Sequence, residues 1–279
     1  MSQSLIKAGL RALSEQGSIR ASNELLSYLK ENNILVTKKG SRILLGAHAR
    51  KELERALERD FQVLPGTKAD AWKGKSRSEA LSLGVNEKAA AGSVRGGRVA
   101  VKTFSGETVR MGDEKLVLPD GVNLDVAVNT ATEFSSHLSA VLVENWEAFE
   151  HIHKLSFEIP GDLRDALVVY RGQPGGYTID AARRFIRVLN KPVFVFPDVD
   201  PAGLRIALET PGFAGVMLPP IDAIENLFCA GRGLSERYTS QLAGSERALE
   251  GEVPTDVRAY WSLIKKFGRG IPQEEFVRF

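Results

Sequence analysis

The chain comprises 279 residues, 43% hydrophobic and 26% charged, the balance of a globular protein with room for two cored domains. One cysteine, Cys229, excludes an intrachain disulfide framework, and neither a hydrophobic signal core nor a run near ~18 apolar residues is present, so a cytoplasmic location without membrane contact is expected. The net charge of +2 conceals an asymmetry: residues 1–110 carry 20 Lys and Arg against 11 Asp and Glu (+9) and the remaining 169 carry 17 against 24 (−7), which makes the N-terminal part the expected contact for a polyanion such as DNA.

In chain order, the first elements are two helices over about 5–15 and 22–31. A hairpin follows, with strands 34–37 and 42–45 around a turn containing Gly40. Helices followed by a basic two-stranded wing describe a winged-helix-like DNA-binding domain over residues 1–64, whose Lys38, Lys39 and Arg42 would reach phosphates. From Arg50 to Arg59 opposite charges alternate at helical spacing, which reads as a solvated helix face. Residues 65–95 are rich in Gly, Ala, Ser and Lys and read as a linker, with one short helix opened by the capping box Ser76-Arg-Ser-Glu79 and stopped at Gly84. Residues 96–130 alternate in short strands around glycine turns and form an expected small β-rich segment. Arg95, Arg98 and Lys102 are expected to line a DNA path.

Residues 131–279 repeat one pattern, an apolar strand that delivers a polar residue at its carboxyl end and then a helix. Val141 leads to Glu144-Asn145 and a helix carrying Trp146 and Phe149; Leu167 leads to Arg171-Gly172-Gln-Pro174 and a helix over 179–189. Val193 leads to Asp198-Val-Asp200-Pro201-Ala-Gly203, where Pro201 suits a first helical turn and Gly203 permits close approach to the backbone. With residues 215–218 as a fourth strand, right-handed crossovers give an α/β fold, a parallel sheet with helices on both faces. Glu144, Asp198 and Asp200 can meet at one sheet edge, where open α/β sheets place their ligands, and carboxylates so placed suit a magnesium ion. Arg171 stands at the same edge and is counted with the DNA-contacting cations. The tail from Leu227 to Phe279 reads as helical, with Tyr260, Trp261 and Phe267 packing on a core; Glu274, near its end, is not counted as a ligand.

The stretch from about Val141 to Pro220 resembles the Toprim domain of topoisomerases, primases and several nucleases. Asp198-Val-Asp200-Pro201-Ala-Gly203-Leu-Arg-Ile206 is similar to the Asp-x-Asp-Pro-x-Gly-x-x-Ile run of topoisomerase VI A subunits, as is Arg171-Gly172-Gln-Pro174 to their glycine-proline turn. Glu144-Asn145 resembles the Glu-Asn start of the JetD nucleases of Wadjet plasmid-defence systems. The resemblance implies a Toprim-like catalytic domain with Glu144, Asp198 and Asp200 as catalytic metal ligands. It also implies a homodimer, and an SMC-type ATPase complex as partner.

Phosphodiester cleavage needs charge stabilisation at phosphorus and an activated oxygen nucleophile, both of which carboxylate-held Mg2+ (or Mn2+) supplies. The chain has no histidine cluster at zinc spacing, and His151 and His153, two apart on an expected helix, should point to different sides. Topoisomerase VI A subunits attack with a tyrosine in an Arg-x-x-Tyr-Tyr context, which is missing here; Tyr28, with Leu25 three residues before it, reads as a partly buried helix residue. Water is then the expected nucleophile, and the expected function is metal-dependent DNA endonuclease in a plasmid or phage defence system. The alternatives are a topoisomerase VI A-like subunit, a small-molecule phosphatase with Asp198 as nucleophile, or a non-catalytic DNA-binding regulator or scaffold.

Overall fold

The computed structural model describes residues 3–71, 95–174 and 176–277. The chain divides into two compact units, Met1–Val94 and Arg95–Phe279. The short helix expected after Ser76 lies outside the described residues.

The first unit contains helices α1 (Gln3–Ser14), α2 (Asn23–Glu31) and α3 (Ala47–Phe61) and strands β1 (Ile19–Arg20), β2 (Thr37–Lys39) and β3 (Arg42–Leu44). The strands form an antiparallel sheet in the order β1-β3-β2. The hairpin is tight because Gly40 takes a φ of +60°, a conformation that a side chain disfavours. Ser22 caps α2 by accepting from the Leu25 N–H at 3.2 Å. One face of each helix closes on a core that includes Leu5, Leu25, Leu29, Ile43, Leu53 and Leu57. Arg50 does not stand on a solvated face. Its guanidinium crosses to the end of α1 and donates to the carbonyls of Ala12 at 3.0 Å and Leu13 at 2.7 Å, groups that a helix C-terminus leaves unpaired.

The second unit is built on a mixed six-stranded sheet, ordered β11-β10-β8-β9-β4-β7. Its strands are β4 (Arg98–Lys102), β7 (Leu124–Ala127), β8 (Ala140–Val143), β9 (Leu167–Tyr170), β10 (Val193–Phe196) and β11 (Phe213–Val216); β5 (Thr108–Met111) and β6 (Glu114–Val117) form a separate hairpin. The four strands β9, β8, β10 and β11 are parallel, as their continuous apolar runs require when both faces are covered. Strand β4 adds antiparallel to β9, and β7 adds antiparallel to β4 at the edge of the sheet. Residues 96–130, expected as a separate β-rich segment, therefore supply two strands of the same sheet, and the sheet is mixed rather than wholly parallel. Alternation along a strand gives no sign of which neighbour it will pair with.

The helices of this unit are α4 (Trp146–Glu150), α5 (Ile179–Leu189), α6 (Pro201–Leu208), α7 (Ile221–Cys229), α8 (Ser235–Leu249) and α9 (Thr255–Phe267), followed by a 3-10 turn over Gln273–Phe276. On one face Ala181, Phe185, Ile186 and Leu189 of α5 close on Leu142, Val169 and Val195. On the other face Ala148 and Phe149 of α4, Ile224 and Phe228 of α7 and Trp261 and Ile264 of α9 close on Val141, Val143, Val168 and Phe196. The tail aromatics are core residues, with Tyr260 and Trp261 both buried.

Candidate functional site

The parallel strands run β9-β8-β10-β11 across the sheet, so the chain steps outward to one side of β8 and then returns to build on the other. The point of reversal lies between β8 and β10, the crevice in which open α/β sheets hold ligands. Val143 is level with both Tyr170 and Phe196, so the residues that follow leave the sheet at the same height. The Glu144 N–H donates to the Phe196 carbonyl at 3.3 Å and the Arg171 N–H to the Val143 carbonyl at 2.9 Å, carrying the ladder one step beyond the strands.

Glu144 is nearly buried, and its Oε1 lies 3.0 Å from an Arg171 terminal nitrogen. Burial pushes its carboxyl up to about 7; Arg171 opposes this, Asp198 and Asp200 reinforce it, and the Asp198 backbone N–H favours the charged form. Its Oε2 is buried with no hydrogen-bond partner among the described residues. Gly172 makes the Arg171 turn possible: at φ +93° a Cβ would stand 2.6 Å from the Tyr177 carbonyl oxygen.

Asp200 is the N-cap of α6, its Oδ1 accepting from the Gly203 N–H at 2.8 Å, with Pro201 in the first turn. A Cβ on Gly203 would lie 2.3 Å from the Asp198 carbonyl oxygen, so the Asp198–Gly203 loop closes only over glycine. Burial raises the Asp200 pKa, the Gly203 N–H counteracts, and Asp198 adds to the rise. Asp198 is held differently: Oδ1 accepts from the Gln273 N–H at 2.8 Å and Oδ2 from Arg237 at 2.7 Å.

The elements that complete the site come from the tail. Arg237, in the first turn of α8, uses its Nη1 for both aspartates, at 2.7 Å from Asp198 Oδ2 and 3.0 Å from Asp200 Oδ2. One helical turn later Gln241 donates to Asp200 Oδ2 at 3.0 Å while accepting from the Ala202 N–H at 3.0 Å. Gln273, fully buried, accepts from the Asn145 N–H at 2.8 Å and donates to the Phe196 carbonyl, joining the ends of β8 and β10. Asn145 caps α4 and donates to Glu274 Oε1 at 2.6 Å. Ile271 and Val199 exchange backbone hydrogen bonds at 2.9 Å, and so do Gly270 and Leu234 at 3.0 and 2.9 Å.

The three expected acids thus converge on one sheet edge. The donor set is all oxygen and includes a buried carboxylate oxygen at Glu144 without a partner among the described residues, which fits a hard divalent cation. Bound there by Glu144, Asp198 and Asp200, such an ion would supply charge stabilisation to a phosphate oxygen. Among the described residues no three His, Cys, Asp or Glu side chains are assembled as a metal centre. Arg237 stands on both Oδ2 atoms, and Asp200 Oδ1 is committed to its helix. The rings of His151 and His153, expected on different sides, lie edge-on with centroids 5.9 Å apart, because the chain leaves α4 and passes into a 3-10 turn over Ile152–Lys154.

The expected DNA contacts divide by exposure. Lys38 is exposed on β2, Arg42 is exposed with its Nε on the Ser18 hydroxyl at 3.1 Å, and Lys39 has a backbone place on β2. Arg98 pairs with Asp125 at 2.5 Å, and Arg95 lies over the Tyr177 ring at 4.8 Å; both remain about half exposed. Arg171 is the counter-charge of Glu144. Lys102 is corrected outright. At 4% exposure it is buried, donates to the Glu150 carbonyl at 3.0 Å and sits 4.7 Å over the Phe149 ring, so it presents no charge to DNA. Tyr28 is buried in the core of the first unit and donates to Asp60 at 2.9 Å; burial first, then Asp60, raises its pKa, which disfavours a tyrosinate nucleophile.

No helix among the described residues is long and apolar enough to cross a membrane. A comparison with curated proteins finds no match. The family model for a domain of unknown function, DUF7281, matches residues 96–278, which span the six-stranded sheet, the three acids and the tail that bears Arg237 and Gln273, and the chain belongs to that family.

Proposed function

We propose that the chain is a metal-dependent DNA endonuclease with a Toprim-like site, in which Glu144, Asp198 and Asp200 hold Mg2+ or Mn2+ and water attacks the phosphodiester. One observation carries the reading. Carboxylates from two neighbouring parallel strands meet at the switch point of the sheet, close enough that Asp198 and Asp200 raise the pKa of Glu144. The basic hairpin of the first unit, with its three helices and antiparallel sheet, supports a winged-helix-like DNA-binding role for residues 1–64. Plasmid or phage defence, a homodimer and an SMC-type ATPase partner belong to the same proposal and rest on the resemblance alone.

A second reading, a non-catalytic DNA-binding scaffold, is favoured by the Arg237 pairing, which occupies an oxygen of each aspartate and offsets one of their two charges. Incubation with supercoiled plasmid and Mg2+ or Mn2+ separates the two. Nicking or linearisation that disappears in both Asp198→Ala and Glu144→Ala supports the nuclease. Cleavage indifferent to either substitution overturns the three-acid site, and a covalent protein–DNA adduct trapped by denaturant points instead to a topoisomerase-like subunit. Absence of cleavage by every form favours the scaffold.

A further inference from the structure

Arg237 is placed unlike an ordinary surface arginine. A single nitrogen, Nη1, serves both Asp198 Oδ2 and Asp200 Oδ2, and these are the oxygens a cation bridging the two aspartates would need. The remaining oxygens are already assigned, Asp198 Oδ1 to the Gln273 N–H and Asp200 Oδ1 to the Gly203 N–H. Among the described residues, Nε and Nη2 of Arg237 make no hydrogen bond, and the side chain keeps 30% of its exposure. Gln241, on the same face of α8 one turn on, is by contrast held at both ends, so Asp200 retains a donor whether or not Arg237 stays.

We propose that Arg237 is an internal competitor of the divalent cation, so that metal binds weakly to the free protein and tightly when a phosphodiester is present to receive the displaced guanidinium. The inference rests on the metal-site reading above and specifies how that site is loaded. Charge favours the exchange. With the acids ionised, Glu144, Asp198 and Asp200 face Arg171 and Arg237 for a local charge of −1; a divalent ion brings this to +1, and one bridging phosphodiester returns it to zero. The fork of Nε and Nη2 is the part of an arginine that matches two phosphate oxygens, and the side chain lies on the exposed side of the pair.

The test is Mn2+ binding followed by electron paramagnetic resonance, in the full chain, for wild type, Arg237→Gln and Arg237→Lys, each alone and with a short DNA duplex carrying phosphorothioate linkages. The expected result is that Arg237→Gln alone binds Mn2+ about tenfold or more tightly than wild type, ~1.4 kcal/mol. The duplex should tighten Mn2+ on wild type by a similar factor and on Arg237→Gln much less. Arg237→Lys, which keeps the charge and a flexible donor, should fall between them, and it carries the comparison if Arg237→Gln does not fold. Equal Mn2+ affinity in wild type and both variants overturns the competitor role while leaving a metal site intact. Failure of every form to bind Mn2+, with or without duplex, removes the metal reading itself and this inference with it.

Discussion

Gly270 lies against Asp200 so closely that a Cβ on Gly270 would stand 2.6 Å from the Asp200 Cβ, and 3.1 Å from that of Arg237. The contact is fixed from both ends, because Gly270 exchanges backbone hydrogen bonds with Leu234 just before α8, and Ile271 does so with Val199 between the aspartates. Gly270→Ala therefore forces either the acid loop or the tail to move. The expected cost is about 1–3 kcal/mol in denaturant unfolding, the range of an overpacked core, with loss of metal-dependent cleavage. Full stability with wild-type cleavage would show that the tail has slack the backbone bonding denies.

Asn145 ties the strand that bears Glu144 to the end of the chain. Its Oδ1 caps α4 through the Glu147 N–H at 2.7 Å, and its Nδ2 donates to Glu274 Oε1 at 2.6 Å, while Glu274 Oε2 is buried without a partner among the described residues. Asn145→Ala should destabilise by about 1–3 kcal/mol, from a lost cap and an unpaired buried acceptor. Asn145→Asp keeps the cap but sets a carboxylate against Glu274, and should cost at least as much at neutral pH. The double variant Asn145→Asp with Glu274→Gln restores a donor and should recover most of the loss. A double-mutant cycle with no coupling would show that the two side chains do not act on each other.

The acids were legible because local rules place them. An apolar run, two aspartates and Pro201 define a strand, a cap and a helix start within a dozen residues, and Glu144 repeats the pattern. Arg237, Gln241 and Gln273 carry no such mark, since their partners lie between 37 and 128 residues earlier in the chain. Only tertiary packing brings them together. The residue type of Lys102 points to solvent, although the pattern carries a contrary signal: in Arg98-Val-Ala-Val-Lys102 a two-residue period puts the lysine on the face of Ala100, the side that Phe149 covers. Antiparallel pairing of β4 with β9 was not readable, because the pattern of a buried strand is the same whichever partner it takes.

Burial of Lys102 carries a pH signature. Desolvation first lowers its ammonium pKa to about 8 from 10.5, against the weaker pull of Glu150 and Asp120 in the other direction. Between these values the unfolded chain binds more protons than the folded one, so stability rises with pH; below about 8 both states are charged and the full penalty remains, and above 10.5 it is gone. The penalty is roughly 2 kcal/mol after allowance for residual solvent screening. Lys102→Met should therefore be more stable than wild type at neutral pH, by about 1–2 kcal/mol once its lost hydrogen bond is counted. The difference should shrink as pH rises from 8 toward 10.5. A stability difference between the two forms that is constant with pH would mean that the ammonium is solvated.

Lys38 and Lys102 are both lysines on strands, yet only one can meet a polyanion. Lys38 is exposed beside the Gly40 turn of the first unit, whereas Lys102 is buried in the second. If the basic hairpin contacts DNA through phosphates, each lost contact should reduce the slope of log K against log salt by about 0.9, with affinity falling by a similar factor on every sequence. Fluorescence anisotropy with a labelled duplex over a salt series should show this for Lys38→Ala. It should show the same for Arg42→Ala to a smaller degree, because part of that guanidinium is already engaged by Ser18. Lys102→Met should leave slope and affinity unchanged. Unaltered slopes for both hairpin variants would remove the hairpin from the DNA interface and shift attention to Arg95 and Arg98, whose side chains are half exposed although each has an acidic partner in Asp125.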